Sequence, residues 1–199
     1  MIAVVKYNAG NIRSVQTSVE RLGYECLITD NAADLERADK VILPGVGEAG
    51  SAMKHLRECG LDSVIRKLRQ PVLGICLGLQ LLCKWSDEGE TECLGIYDAV
   101  VRKLPPGDKV PHMGWDNFRW MSGDLFRGVS SENDVYYVHS YCTGINEHTV
   151  AEAFYIIPFS AAMRKDNFWS TQFHPEKSGE TGLKILRNFL MLPGKGAAC

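Results

Sequence analysis

Apolar positions along the chain follow two regimes. From Ile2 to Ile75, short β-branched runs alternate with stretches at helical spacing. Ile2 to Val5 reads as a first strand. Ile12, Val15, Val19 and Leu22 then share one helical face, and Gly23 supplies a stop. Cys26 to Ile28 and Lys40 to Leu43 read as further strands, the second closed by Pro44-Gly45. Helical patterning follows over Glu48 to Cys59 and Leu61 to Arg69. Val72 to Ile75 is a buried strand that runs straight into Cys76-Leu77-Gly78. Apolar strands separated by helices predict a parallel sheet covered on both faces.

The second half is β-rich. Strand patterning occupies Ile96 to Lys103, Asn117 to Met121, Val135 to Tyr141, Thr149 to Tyr155 and Ala161 to Phe173, with Asp166-Asn167 as a hairpin turn. Gly182 to Leu192 reads as a closing helix with Leu183, Leu186, Phe189 and Leu190 on one face, and Pro193 to Cys199 as a mobile tail. The expectation is an α/β fold in one domain over residues 1–199. A mostly parallel central sheet is flanked by helices and carries an antiparallel β-rich extension.

Composition narrows the class. The 199 residues suffice for one core, and a net charge of -2 argues against a nucleic-acid binder. The cysteines number seven, an odd count without C-x-x-C spacing. They read as free thiols in a reducing cytoplasm and not as a disulfide framework or a zinc site. No His/Cys/Asp cluster has convincing metal spacing, and neither metal nor cofactor is expected. No charged-then-apolar leader precedes the first strand, so no signal peptide is expected. The longest apolar stretch, Pro71 to Cys83, is too short to span a bilayer.

Candidate chemistry starts at Gly74-Ile75-Cys76-Leu77-Gly78, between a predicted strand and a predicted helix. A sharp strand-to-helix turn presents its central side chain at the top of the sheet, and the flanking glycines let neighbouring backbone pass. At a helix N-terminus the thiolate of Cys76 is favoured, and the Leu77 amide faces a developing oxyanion. The same string suits a plain βα turn with a buried thiol, so context has to decide. Phe173-His174-Pro175-Glu176 supplies it. Proline keeps the preceding residue extended, and side chains two apart in extended chain point the same way. His174 and Glu176 can therefore form the base and orienter of a nucleophile–base–acid triad. An ordinary strand end is the alternative. His55 reads as solvated and His148 as a turn residue. Pro44-Gly45-Val46-Gly47, leaving the third strand, can offer a second oxyanion amide or be a plain turn; it lacks the glycine–lysine pattern of a phosphate loop.

Gly74-Ile75-Cys76-Leu77-Gly78-Leu79-Gln80, Phe173-His174-Pro175-Glu176 and Pro44-Gly45-Val46-Gly47, in this order of weight, resemble the motifs of the class I (triad) glutamine amidotransferases, which have a flavodoxin-like sheet. Leu79 stands where methionine is common in relatives, a volume-conserving exchange. Asn8-Ala9-Gly10-Asn11, Pro111-His112-Met113-Gly114-Trp115, Tyr136-Tyr137-Val138-His139-Ser140-Tyr141, Lys165-Asp166-Asn167-Phe168 and the run on to Lys177-Ser178-Gly179 extend the resemblance. They are similar to one branch of that family, whose members feed ammonia to the (β/α)8-barrel cyclase subunit of imidazole glycerol phosphate synthase. The likeness covers residue 1 to about residue 192.

The resemblance implies glutamine hydrolysis in histidine biosynthesis, in a heterodimer with that cyclase. Cys76 would be the nucleophile, His174 the base and Glu176 its orienter. The amides of Val46 and Leu77 would hold the oxyanion. Gly45, Gly47, Gln80, Glu88, Ser140 and Tyr141 would contact glutamine, Ser140 and Tyr141 through backbone that receives its α-carboxylate. Asn11, Met113, Trp115, Tyr136 and Lys177 would face the cyclase. Trp115, Trp120, Tyr136, Tyr137 and Tyr141 could alternatively fill the β-rich core, and at least two are expected to. Competing readings are an amidotransferase subunit serving another pathway, a stand-alone cysteine hydrolase of γ-glutamyl bonds, and a catalytically dead regulatory module.

Overall fold

The computed structural model describes residues 1–7 and 10–194; most of the tail expected to be mobile, and Asn8-Ala9, lie outside the described residues. The first half forms β1 (Ile2–Val5), α1 (Ile12–Arg21), β2 (Cys26–Thr29), α2 (Ala32–Arg37), β3 (Lys40–Leu43), α3 (Ala49–Glu58), α4 (Leu61–Lys67), β4 (Val72–Ile75) and α5 (Leu77–Leu82). The second half forms β5 (Cys83–Ser86), β6 (Thr91–Glu92), β7 (Tyr97–Lys103), β8 (His112–Asp116), β9 (Trp120–Met121), β10 (Val135–His139), β11 (Tyr141–Thr143), β12 (Thr149–Tyr155), β13 (Ile157–Lys165), β14 (Phe168–Thr171) and α6 (Gly179–Met191).

The main sheet runs β2-β1-β3-β4-β14-β13-β12-β9. Pairing is parallel from β2 through β14 and antiparallel beyond it. The expected parallel core with an antiparallel extension is therefore present, in the doubly wound order 2-1-3-4-5. Alternation along the strands builds a core on each face. Ala3, Val5, Val41, Leu43 and Val72 enter one cluster with α3, α4 and α5. Ile2, Val4, Ile42, Leu73 and Ile75 enter the other with α1 and α6. Buried on both sides, these strands read as unbroken apolar runs.

Several expectations need correction. α2 was not anticipated: only six residues long, it is set by Asn31, whose side chain accepts from the amides of Ala33 and Asp34. The strand expected over Asn117 to Met121 shrinks to β9, and the aromatic segment before it is instead a full strand, β8, paired with β10. The single strand expected over Val135 to Tyr141 divides at Ser140. β10 pairs with β8, whereas β11 joins a separate sheet ordered β11-β7-β5-β6. The hairpin at Asp166-Asn167 is present, with Asp166 in the left-handed region at φ 52°. The six described cysteines are free.

Candidate active site

The loops that follow β1, β3, β4 and β14 leave the same carboxyl edge of the parallel sheet, where doubly wound folds bind ligands. Cys76 lies between β4 and α5 at φ 53°, ψ −105°. A side chain other than glycine is strained there, and such strain persists only where the surroundings enforce it. Its amide donates to the Thr171 carbonyl at 2.7 Å. A Cβ on Gly78 would sit 2.0 Å from the Leu43 oxygen, and one on Gly74 2.8 Å from the Gly78 carbonyl. The glycines thus let α5 press against β3 and β4, as the sequence suggested.

His174 is extended, at φ −100°, ψ 94°, and its amide donates to the Tyr136 carbonyl at 2.9 Å. Its Nδ1 lies 2.8 Å from Oε1 of Glu176, and both side chains are buried. The reason for their meeting differs from the one expected. Pro175–Lys177 form a turn of 3-10 helix, so curling of the chain and not strand alternation swings Glu176 under the ring. Oε1 of Glu176 also accepts from the side-chain amide of Asn11, while Oε2 is buried without a partner among the described residues.

Because a carboxylate only accepts, His174 presents Nδ1–H to Glu176. Its Nε2 is buried without a well-formed hydrogen bond and lies within the field of Cys76. Burial opposes charging of this ring, but the Cys76 thiolate, followed by Glu176, outweighs it and lifts His174 well above the ordinary histidine range. The arrangement favours an imidazolium at His174, held from behind by Glu176.

A cavity of about 300 Å3 opens beside the thiol. Val46, Gly47, Leu77, Gln80, Glu88, Ser140 and Tyr141 all line it together with Cys76. Gly45 lies behind this wall, so close to the Tyr7 hydroxyl and Leu77 Cβ that no side chain fits. The Leu77 amide donates to the Gly45 carbonyl at 3.4 Å, and the Val46 carbonyl accepts from Gly10 at 3.4 Å. The Leu77 donor expected to face an oxyanion is thus occupied. The Glu88 carboxylate takes the Ala49 amide at 2.9 Å, and burial raises its pKa.

The residues expected at a partner face separate into two groups. Met113 and Trp115 are 61% and 58% exposed, and the Trp115 and Tyr136 rings meet edge to face at 5.9 Å. Lys177 lies over the Tyr136 ring, its Nζ 5.9 Å from the centroid. These four form one patch. Asn11 turns instead to Glu176. Of the other aromatics, Tyr137 is fully buried and Tyr141 packs against the core, while Trp120 is exposed.

Sequence reasoning missed several residues that touch the site. The Tyr7 hydroxyl donates to the Pro44 carbonyl, and burial raises its pKa. The Val138 carbonyl lies 3.7 Å from Cys76 Sγ, and so does the side-chain nitrogen of Gln172. Gln172 stands two positions before His174, so the alternation applied to His174 and Glu176 would have found it had it been run backwards. His112 and His139, noted in the sequence only as members of aromatic segments, form a buried pair, with Nδ1 and Nε2 3.2 Å apart.

The model of the glutamine amidotransferase class-I family matches residues 3–192. The imidazole glycerol phosphate synthase subunit HisH of Bacteroides fragilis is 56% identical over 194 residues, covering 96% of this chain and 99% of that protein. Its namesake from Pasteurella multocida is 44% identical over 191 residues, with 95% and 96% coverage. A crystal structure of a glutamine amidotransferase superposes with a TM-score of 0.75 at 22% identity, covering 95% of this chain and 96% of that one. The motifs around Cys76 and His174 and the doubly wound sheet beneath them thus have one common explanation: the chain belongs to the class-I glutamine amidotransferases.

Proposed function

We propose that the chain is the glutaminase subunit of an imidazole glycerol phosphate synthase, acting in histidine biosynthesis in the cytoplasm. It hydrolyses glutamine to glutamate and ammonia and passes the ammonia to a (β/α)8-barrel cyclase subunit. The observation that carries the catalytic part is Cys76 lining the cavity with His174 behind it, whose Nδ1 lies 2.8 Å from Oε1 of Glu176. Identity of 56% to a HisH subunit over nearly the whole chain supports the biosynthetic part.

In this reading the Cys76 thiolate attacks the side-chain carbonyl carbon of glutamine. His174 gives its Nε2 proton to the departing ammonia, leaving a glutamyl thioester. It then takes a proton from water, whose hydroxide releases glutamate and restores the thiol. Glu176 holds Nδ1–H throughout and stabilises the imidazolium. Glu88 attracts the substrate ammonium, Gln80 its polar groups, and the backbone at Ser140 and Tyr141 receives the carboxylate. The amides of Leu77 and Val46 serve the oxyanion once the Gly45 carbonyl turns away. Gly45 and Gly47 bracket Val46, and glycine gives that peptide the freedom to rotate. One oxyanion donor is worth about 2.7–4 kcal/mol.

Cys76→Ala tests the reading in the assembled complex. Glutamine-dependent synthesis should vanish while synthesis from added ammonia persists. Loss of both would make Cys76 structural, and survival of both would remove it from the chemistry.

A further inference from the structure

Gln172 is wholly buried, and a buried amide must place both of its ends. Its surroundings fix which end goes where. The Tyr141 carbonyl can only accept. It lies 2.9 Å from the side-chain nitrogen of Gln80 and 3.0 Å from Nδ1 of His139. Gln80 therefore turns its NH2 to Tyr141, and the same nitrogen lies 3.3 Å from Oε1 of Gln172. With its oxygen engaged there, Gln172 aims its NH2 at Cys76 Sγ, 3.7 Å away. The reverse orientation would oppose two NH2 groups and set an amide oxygen against the sulfur. His139, whose Nδ1–H serves Tyr141, accepts at Nε2 from Nδ1 of His112, so a chain of fixed polarity runs from the β8–β10 ribbon to the nucleophile.

The thiol has a different partner in each state. As S–H it donates to the Val138 carbonyl at 3.7 Å; as thiolate it accepts from Gln172. We infer that Gln172 belongs to the catalytic centre as a donor that stabilises the Cys76 thiolate, and that Gln80 is the positioning residue that sets its polarity. The inference rests on the reading of Cys76 as the nucleophile. It gives the thiolate a neutral donor besides the charged His174 in the state that precedes attack on the glutamine carbonyl.

The test is alkylation of the full chain by iodoacetamide over a pH series, with each labelled cysteine identified by peptide mass spectrometry. The exposed Cys59 is the internal standard. Other titratable groups within reach of the sulfur are His174 and Tyr7, which the variants leave intact. Wild-type Cys76 should take the label at lower pH than Cys59. Gln172→Met should slow labelling of Cys76 at neutral pH roughly tenfold, the size of a hydrogen bond to a charged group. The rates should converge in alkali, where no donor is needed to ionise the thiol. Gln172→Glu, the same shape with the donor replaced by negative charge, should slow it further. Gln80→Met, which lets the Gln172 amide turn over, should fall between wild type and Gln172→Met. Thermal melts identify any variant that fails to fold, and the remaining variants decide. Profiles for Cys76 that superimpose on wild type overturn the role of Gln172 alone. A wild-type Cys76 that lags behind Cys59 at every pH overturns the nucleophile reading and this inference with it.

Discussion

The side-chain amide of Asn11 and Nδ1 of His174 converge on the same oxygen of Glu176. Asn11 precedes α1, where its side chain would ordinarily cap the helix, yet it makes no capping bond. It stands in the left-handed region at φ 65°, which asparagine tolerates better than most residues. Local helix stability is forgone for a donor that fixes the Glu176 carboxylate. Asn11→Gly keeps the backbone conformation and removes the donor, so glutamine hydrolysis should fall roughly tenfold, the value of about one charge-assisted hydrogen bond. Asn11→Ala should lose similar activity and also about 1 kcal/mol of stability relative to the glycine variant, because alanine is strained at this φ. Steady-state assays and urea unfolding separate the two effects.

Strain at Cys76 leads to a stability comparison. Cys76→Gly and Cys76→Ala both remove the thiol, but only glycine relaxes at φ 53°, ψ −105°. Relief of about 1–3 kcal/mol exceeds the entropic cost of glycine, about 0.5–1 kcal/mol. The glycine variant should therefore unfold at higher denaturant than the alanine variant. Equal midpoints would show that the stored strain is no larger than the entropic cost of glycine, about 0.5–1 kcal/mol.

How much of this was legible beforehand depended on the range of the interaction. The strands β1 to β4 announce themselves because burial on both faces demands unbroken β-branched runs. Cys76 and His174 announce themselves because their backbones need glycine or proline at fixed offsets. The division at Ser140 does not, since Val135 to Tyr141 is uniformly apolar and aromatic and the change of sheet is set by distant strands. β8 escaped because His112, Gly114 and the exposed Met113 and Trp115 do not resemble a strand with one buried face. The role of Asn11 stayed hidden for the same reason. It is defined by one hydrogen bond across 165 residues, for which the local sequence carries no signal.

Acid should weaken the fold through His139. Burial, and then the neighbouring His112, lower its pKa to about 3. An unfolded histidine takes up a proton near pH 6.5, so between these values the unfolded chain binds more protons. The contribution of His139 is complete above about pH 6.5 and erodes as pH falls toward 3. At about pH 5 the loss from this group is ~2 kcal/mol. Urea midpoints at neutral and mildly acidic pH measure it, and His139→Gln should show a flatter dependence. An equally steep profile in that variant would place the acid sensitivity elsewhere.

Partner docking should be separable from folding. Trp115 is 58% exposed, so Trp115→Ala should leave the unfolding midpoint within about 0.5 kcal/mol of wild type. If the patch meets the cyclase, the same change should weaken the complex by about 2 kcal/mol or more, as for an interface anchor. Titration calorimetry against the cyclase reads this directly. Lys177→Ala should in addition lower partner-stimulated glutaminase activity, because Lys177 adjoins Glu176 in sequence and covers Tyr136. Unchanged stimulation would show that docking and catalysis are not coupled through this charge.

β10 reaches Cys76 and His174 through its main chain, while its last side chain, His139, lines the cavity. The Tyr136 carbonyl accepts from the His174 amide, the Tyr136 amide donates to the Ser178 hydroxyl, and the Val138 carbonyl faces Cys76. The outward Tyr136 side chain, beside Trp115, lies on the other side of that tether. Peptide groups are common to almost every residue type, so mutation at the outer surface leaves the inner bonds in place. If this outer face meets the partner, its side chains can change while the bonds that hold Cys76 and His174 stay constant.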